Sequence, residues 1–382
     1  MKASYIQEEH EILRKSLRRF LEKEAYPSFQ EWEDNGLIPR SFWKKLGGQG
    51  YLCPWLPEKY GGFEADFGYS VIINEELERV GTGLIGVGLH SDIVVPYLMA
   101  YGKEEQKERW LPKCTTGEII TAIAMTEPGA GSDLAAIRTS AVKHADHYVV
   151  NGEKTFITNG KHADLILLVC KTNVKTSPAH KGISLLLVEK DTEGFTKGNK
   201  LSKVGLHSQD TAELIFEDAK VPVTNLLGSE GEGFYYLMKH LQQERLIVAI
   251  GGIAACERML EITIDYVKKR EAFGRPVAAF QNTQFTLAEL QTEVEIGRAF
   301  LDRTIEAHMN KEEVVKEVSM AKWWITDLVK KTAATCMQLH GGYGYMEEYE
   351  IARRYRDAPV AAIYAGSNEI MKTIIAKKMG LS

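Results

Sequence analysis

Gln242-Gln243-Glu244-Arg245 places a carboxylate where it could work as a base. If the helix carrying it buries Leu237, Leu241 and Val248, Glu244 stands at i+7, i+3 and i−4 from them and points into the same apolar stripe. Burial disfavours the charged form and lifts a carboxyl pKa toward neutrality, where a general base operates. A structural ion pair with a distant basic group is the other reading. Thr126-Glu127-Pro128-Gly129-Ala130-Gly131-Ser132-Asp133 combines glycines, which admit close backbone approach, with hydroxyls and N–H groups able to hold a phosphate or a polar ring. It is not a GxGxxG fingerprint, because Leu134 stands at the third glycine position, and a plain loop remains open. Phe156-Ile157-Thr158 offers a stacking ring and a hydroxyl on one strand face, or a buried Phe beside a satisfied Thr. Arg270, in Tyr266-Val267-Lys268-Lys269-Arg270-Glu271-Ala272-Phe273-Gly274, could fork onto a pyrophosphate or end a solvated basic helix. In Ile363-Tyr364-Ala365-Gly366-Ser367-Asn368-Glu369, Ser367 reads as an N-cap, so N–H groups around Gly366 would face an anion or a polarised carbonyl.

Other chemistries lack their residues. Gly102-Lys103 and Gly160-Lys161 miss both the earlier Gly and the following Ser/Thr of a phosphate loop. No GxSxG elbow or HExxH pair occurs. His144 and His147 read as exposed turn residues flanking an Asn151-Gly152 hairpin, and no metal site is expected. Cys53, Cys114, Cys170, Cys256 and Cys336 are scattered, odd in number and never spaced as CxxC, so neither a disulfide framework nor a zinc knuckle is encoded.

The elements that must position these residues fall into three blocks. Residues 1–117 read as short helices: Leu13, Leu17, Phe20 and Leu21 share one face, and Gly47-Gly48, Pro54, Pro57 and Gly61-Gly62 divide the chain beyond them. Residues 118–228 turn to β-branched and alternating runs such as Leu165 to Cys170 and Ile183 to Val188, with Asn151-Gly152 suited to a type I′ turn. Residues 229–382 return to helical periodicity. Gly251-Gly252 lowers helix propensity there by about 1 kcal/mol per residue relative to Ala, which suggests that something packs close. Ligands favour clefts between such blocks.

The 382 residues leave room for a large core and an enclosed pocket. With 47 Lys+Arg against 52 Asp+Glu, the net charge of −5 gives no general pull toward nucleic acid or an anionic membrane. The stretch Leu246 to Cys256, read as the longest nearly apolar run, is far short of the ~20 residues of a membrane span. Met1 to Phe20 carries charges throughout and lacks a signal peptide's apolar centre. The expectation is a soluble, cytoplasmic protein of a reducing compartment, with no nucleic-acid partner and no membrane insertion; a processed organellar form also stays open.

Taken together, MTEPGAGSDL (125–134), FIT (156–158), QQERL (242–246), YxxxRxxFG (266–274), QLHGGYGYM (338–346) and IYAGSNEIM (363–371) resemble the acyl-CoA dehydrogenases, in that family's order and over essentially the whole chain. The resemblance implies an α+β fold with an N-terminal helical domain, a middle β-barrel-like domain and a C-terminal helical bundle. It also implies an FAD enzyme that takes the α-proton and β-hydride of an acyl-CoA, giving the trans-2-enoyl-CoA, with the hydride going to flavin N5 and an electron-transfer flavoprotein collecting the electrons. Carried over by position, Ile123, Ala124, Met125, Thr126, Gly131, Ser132, Phe156, Ile157 and Thr158 line the flavin. Arg270, Phe273, Gln281, Gln338, Leu339, His340, Gly341, Gly342, Ser367, Asn368 and Glu369 hold the rest of the FAD. Ser132, Gln242, Arg245 and Gly366 meet the substrate, and some FAD contacts come from a neighbouring subunit of a homotetramer, a dimer of dimers.

One position departs. Short- and medium-chain members carry their catalytic Glu immediately before the Gly matching Gly366, where this chain has Ala365. Long-chain and isovaleryl members supply the base from the position matching Glu244, so the resemblance assigns it the proton, with the backbone N–H of Ala365 left for the thioester oxygen. Glu369 is the rival base. The PAHKGISLLLVE run (178–189) looks most like the long-chain branch. An isovaleryl-like enzyme, an acyl-CoA oxidase or carrier-protein-linked dehydrogenase, and a non-catalytic flavin- or acyl-CoA-binding relative are the alternatives.

Overall fold

A computed structural model describes residues 3–381. Seven α-helices come first: α1 (Glu8–Glu24), α2 (Phe29–Asn35), α3 (Arg40–Gly48), α4 (Phe67–Val80), α5 (Ile85–Gly88), α6 (Val95–Tyr101) and α7 (Glu104–Thr115). A π-helical stretch, Leu89–Val94, joins α5 to α6, so that Thr82–Tyr101 forms one helical run. That run is 20 residues long and apolar enough to cross a membrane by length and composition, and it exceeds the Leu246 to Cys256 stretch. Yet 78% of its window is buried inside the fold, against the sheet and α8, so its apolarity serves the core.

Eight strands follow: β1 (Thr121–Ala124), β2 (Ser140–Lys143), β3 (His147–Thr158), β4 (Leu165–Lys171), β5 (Ile183–Glu189), β6 (Phe195–Lys200), β7 (Thr211–Pro222) and β8 (Leu226–Leu227). They hydrogen-bond in the order β6-β7-β3-β2-β4-β5-β8, with β1 parallel to β4. The period of two explains why β4 and β5 are apolar without interruption. Leu165, Leu167, Val169, Leu185 and Leu187 face a core shared with the helical run and α8, while Ile166, Leu168, Leu186 and Val188 face a second core. Tyr148, Val150, Leu214 and Phe216 from β3 and β7 enter that second core as well, so the sheet wraps around it.

Asn151-Gly152 does not turn the chain. Both residues lie inside β3, and the positive φ of Gly152 (146°) serves a bulge where the register against β7 shifts. A side chain there would lie 2.5 Å from Thr139 Oγ1, so glycine is required by close approach. The hairpin turn sits instead between His144 and His147, whose backbones bond at 2.7 Å and whose rings stack 5.1 Å apart.

The last block holds α8 (Gly233–Lys269), a small β9 (Glu271–Ala272) and β10 (Arg275–Pro276) hairpin, α9 (Gln281–Met309), α10 (Val315–Leu339), α11 (Glu350–Asp357) and α12 (Asn368–Lys378). Leu246, Ile250 and Ile253 of α8 pack with Leu290 of α9, Ile325 of α10 and Val71 of α4. Helix α8 therefore has one side in its own bundle and another against the first two blocks, which is where a site between domains must lie.

Candidate active site

On α8, Leu237, Leu241 and Val248 are buried, and Glu244 lies among them with 7% of its surface exposed. Its Oε2 has no hydrogen-bond partner. Burial pushes the carboxyl from 4.5 up to about 7, although the cations of Arg245 and Lys322 pull the other way. The expected ion-pair alternative is not what forms: none of the ion pairs among the described residues involves Glu244, and Arg245 Nε is itself buried without a partner. Two adjacent buried groups with unused hydrogen-bonding capacity mark a place built for a ligand.

The loop before α12 faces this pair. Ala365 takes a left-handed backbone conformation (φ 54°) and Gly366 follows at φ 87°. The N–H groups of both donate to no backbone partner among the described residues. A Cβ placed on Gly366 would lie 4.0 Å from Arg245 Nε, which puts the loop beside the base. Lys322 of α10, fully buried, fixes the loop by donating to Gly366 O (2.7 Å) and Asn368 Oδ1 (3.2 Å). Burial and Arg245 push its ammonium down to about 8. Sequence reasoning missed Lys322, whose partners lie more than forty residues away. Ser367 caps α12 by accepting from Ile370 N. Glu369 is exposed, and its own backbone N–H and Ser367 hold its carboxyl below the usual range.

On the β-domain side of α8, Leu237 shares a core with Ile123 and Ala130, against which Met125 packs. Thr126 is half-buried, whereas Gly131 and Ser132 are exposed, and a side chain at Gly129 or Gly131 would meet nothing within 4 Å. Phe156 is not the buried ring that was one reading: it sits on a second bulge at φ 60°, 68% exposed, with half-buried Thr158 beyond it. A large apolar ring held outward in a costly backbone conformation needs a covering partner. Ala124 and Ile157 are in the core, so only their backbones can serve a ligand.

Lys154 organises this surface and was also missed. Fully buried, it donates to Met125 O (3.0 Å) and Glu127 Oε1 (2.8 Å), while Glu127 accepts from the N–H groups of Arg138 and Thr139. Lys154→Met should leave that carboxylate buried without its cation, cost roughly 3 kcal/mol of stability and loosen the loop. The check is flavin retained after gel filtration alongside denaturant unfolding. Full retention at unchanged stability would show that the pair does not organise the loop.

Two of the expected contact residues bond their side chains within the fold. Gln242 stands 200° round the helix from Glu244 and faces away, its amide bonded to His308 Nδ1 (3.1 Å) and Val314 N (3.1 Å). Asn368 spends its side chain on Lys322, Thr326, Trp323 and Asp327, which leaves only its backbone for a cofactor. A further set of residues forms a separate surface at the far end of α8. Arg270 lies over Tyr343, His340 stacks on Tyr266 at 4.2 Å, and Phe273 (96% exposed), Gln281, Gln338, Gly341 and Gly342 are exposed, with Leu339 between them half-buried. Glu244 and Lys269 are about 37 Å apart along α8 at 1.5 Å per residue, so within one chain this surface is remote from Glu244.

An unpaired carboxyl poised near neutrality with free N–H groups beside it suits removal of a proton from a carbon next to a polarised carbonyl. Residues 7–118, 122–219 and 231–380 match in turn the N-terminal, middle and C-terminal domains of acyl-CoA dehydrogenase. The chain is 49% identical over 372 residues to the pig mitochondrial long-chain specific acyl-CoA dehydrogenase, covering 97% of this chain and 86% of that one. Its fold superposes on an acyl-CoA dehydrogenase from Geobacillus kaustophilus with a TM-score of 0.98 and 66% identity, covering 99% and 100% of the two chains. An acyl-CoA dehydrogenase from Bacillus anthracis complexed with FAD matches with a TM-score of 0.92 and 32% identity, over 99% of this chain and 69% of that one. The chain belongs to the acyl-CoA dehydrogenase family and is an FAD-dependent oxidoreductase. The open loop at Gly129 and Gly131 and the outward Phe156 fit the cofactor.

Proposed function

We propose that this protein dehydrogenates long-chain acyl-CoA thioesters at the α,β carbons, with Glu244 as the proton acceptor. The observation that carries this is Glu244 itself, buried, unpaired on Oε2 and poised at about 7. The thioester lies between α8 and the loop before α12, where the Ala365 N–H donates to the thioester oxygen and stabilises the negative charge that develops there as the α-proton leaves. Arg245 and Gly366 bound the same space, and Ser132 closes it from the β-domain. Glu244 Oε2 takes the α-proton, and the apolar residues around it keep water from competing. Bound FAD supplies the acceptor for the β-hydride, held by the loop from Ile123 to Ser132 and by Phe156 to Thr158. Lys322 keeps Gly366 in place throughout.

An electron-transfer flavoprotein receives the electrons. The remote surface around Arg270, Gln281 and Gln338 to Gly342 completes the FAD site of a second copy, so the working form is a homodimer and, by extension, a dimer of dimers. The long-chain assignment rests on the 49% identity to a long-chain enzyme. Anaerobic titration with acyl-CoAs of graded length, following the visible flavin band, tests the reading. Long straight chains should bleach it most completely. Bleaching by branched short chains alone would move the protein to an isovaleryl-like role, and no bleaching by any acyl-CoA would overturn the activity.

A further inference from the structure

No side-chain hydrogen bond among the described residues ends on the Glu244 carboxyl, so its oxygens lie where α8 carries them. A side-chain end stands about 5–6 Å from a helix axis, and a 10° rotation of α8 would move it by about 1 Å. Whatever holds this turn of α8 against rotation therefore aims the base.

The two glutamines before Glu244 tie that turn to different domains. Gln242 bonds His308 Nδ1 and accepts from Val314 N at the α9–α10 junction, within the C-terminal bundle. Gln243 donates from Nε2 to Asp92 O at 2.6 Å, in the N-terminal domain. Asp92 lies in the π-helical stretch Leu89–Val94, and the residue four places on, whose N–H an α-helix would turn toward this carbonyl, is Pro96, which has none. The carbonyl is thereby open to a donor from outside its own helix. Its position is fixed by the rest of the π turn. Asp92 is buried, and its carboxyl accepts from Ser70 Oγ (2.7 Å) and Asn74 Nδ2 (2.8 Å) of α4. Ser91 accepts on Oγ from Cys53 N (3.2 Å) and on its carbonyl from Trp55 Nε1 (3.0 Å), while His90 accepts from Thr121 N of β1 (3.1 Å). Three successive residues thus anchor the π turn to β1, to the segment between α3 and α4, and to α4, and Gln243 extends that anchorage to α8.

We propose that Gln243 is a positioning residue, which by bonding the Asp92 carbonyl fixes the rotation of α8 and keeps the Glu244 carboxyl on the substrate α-carbon. The proposal rests on Glu244 being the base. Gln243 takes no proton itself and acts through the helix. Losing its N–H releases the turn on the N-terminal-domain side while Gln242 still holds the other, so α8 stays packed but Glu244 swings. A displacement of about 1 Å in a reacting group costs up to about 10²-fold in rate. Binding of the acyl-CoA draws on other groups and is left as it was.

Gln243→Met keeps an unbranched, helix-forming side chain but has no N–H to give. Stopped-flow flavin reduction of the FAD-loaded enzyme over a range of acyl-CoA concentrations should show the limiting rate lowered about 30-fold, with the half-saturating concentration within about twofold of the parent. Gln243→Lys retains an N–H donor and should keep the limiting rate within about threefold of the parent. If Gln243→Met does not fold, Gln243→Ala decides, because the room it leaves admits water to the Asp92 carbonyl while still releasing the turn, and the same fall is expected. A parent-like limiting rate in the folded variant would overturn the proposal. So would a fall shared by Gln243→Lys, or one matched by an equal loss of affinity, since both mark a loosened domain contact rather than a displaced base. Failure of the base assignment is read separately, as full-rate flavin reduction by Glu244→Gln.

Discussion

Replacing Glu244 by Gln should leave the protein folded and FAD-loaded while slowing anaerobic flavin reduction by acyl-CoA about 10³-fold. Glutamine keeps the shape and volume of the side chain in its apolar setting but cannot take the α-proton. No other carboxylate stands ready to replace it: Ala365 has none, and Glu369 is exposed with its carboxyl held low. Glu369→Gln should therefore reduce flavin at close to the parent rate. In the parent, reduction should accelerate as pH rises through about 7, where Glu244 gives up its proton, and that limb should vanish in the Gln variant. Stability should move oppositely. The folded protein binds this proton more tightly than the unfolded chain, so between 4.5 and about 7 rising pH removes stability, and the whole penalty is present above 7. Glu244→Gln escapes it and should be more stable at pH 8 by up to about 3 kcal/mol. Stopped-flow reduction and denaturant unfolding of one preparation read both effects. Full-rate reduction by the variant would remove Glu244 from the mechanism.

Features legible in the sequence and features hidden from it separate along a physical line. The burial of Glu244 follows from spacing on one helix, since Leu237, Leu241 and Val248 share its face whatever the rest of the fold does. The N-cap at Ser367 is equally local. By contrast, Asn151-Gly152 misleads because a positive φ suits a type I′ turn and a bulge alike, and only the approach of Thr139 distinguishes them. The partners of Gln242 are likewise hidden, because His308 and Val314 come from a distant segment and its motif neighbour Glu244, two residues away, lies on the opposite side of the helix. Lys322 and Lys154 are invisible. A lysine in an amphipathic helix or an alternating strand reads as solvated, and their burial depends on carbonyls and carboxylates delivered by distant segments. The apolar run Thr82–Tyr101 is the converse case, where composition fits a membrane and the surrounding α8 and sheet supply the cover instead.

Moving the carboxylate from α8 to the loop before α12 should restore part of the lost activity. Glu244→Gly alone should abolish reduction as Glu244→Gln does, and adding Ala365→Glu should recover about ten- to a hundredfold of that loss. The expectation comes from the geometry of the loop: a Cβ on Gly366 approaches Arg245 Nε to 4.0 Å, so this loop and the helix position beside Arg245 border one space. Ala365 already holds a Cβ at φ 54°, and a longer side chain adds little backbone strain to what alanine bears. The new carboxylate would emerge near Arg245, whose buried Nε has no partner to compete for it. Glycine at 244 costs α8 about 1 kcal/mol, which loss of the buried carboxyl offsets. Recovery stays partial because the proton acceptor then sits on a loop rather than a helix, with its rotamer less fixed. Ala365→Glu by itself is the informative control. Two carboxylates in one enclosed space raise each other's pKa, so the pH limb of flavin reduction should shift upward from about 7. A folded, FAD-loaded double variant with no recovery, together with a single variant whose pH limb stays in place, would mean that positions 244 and 365 do not face the same carbon.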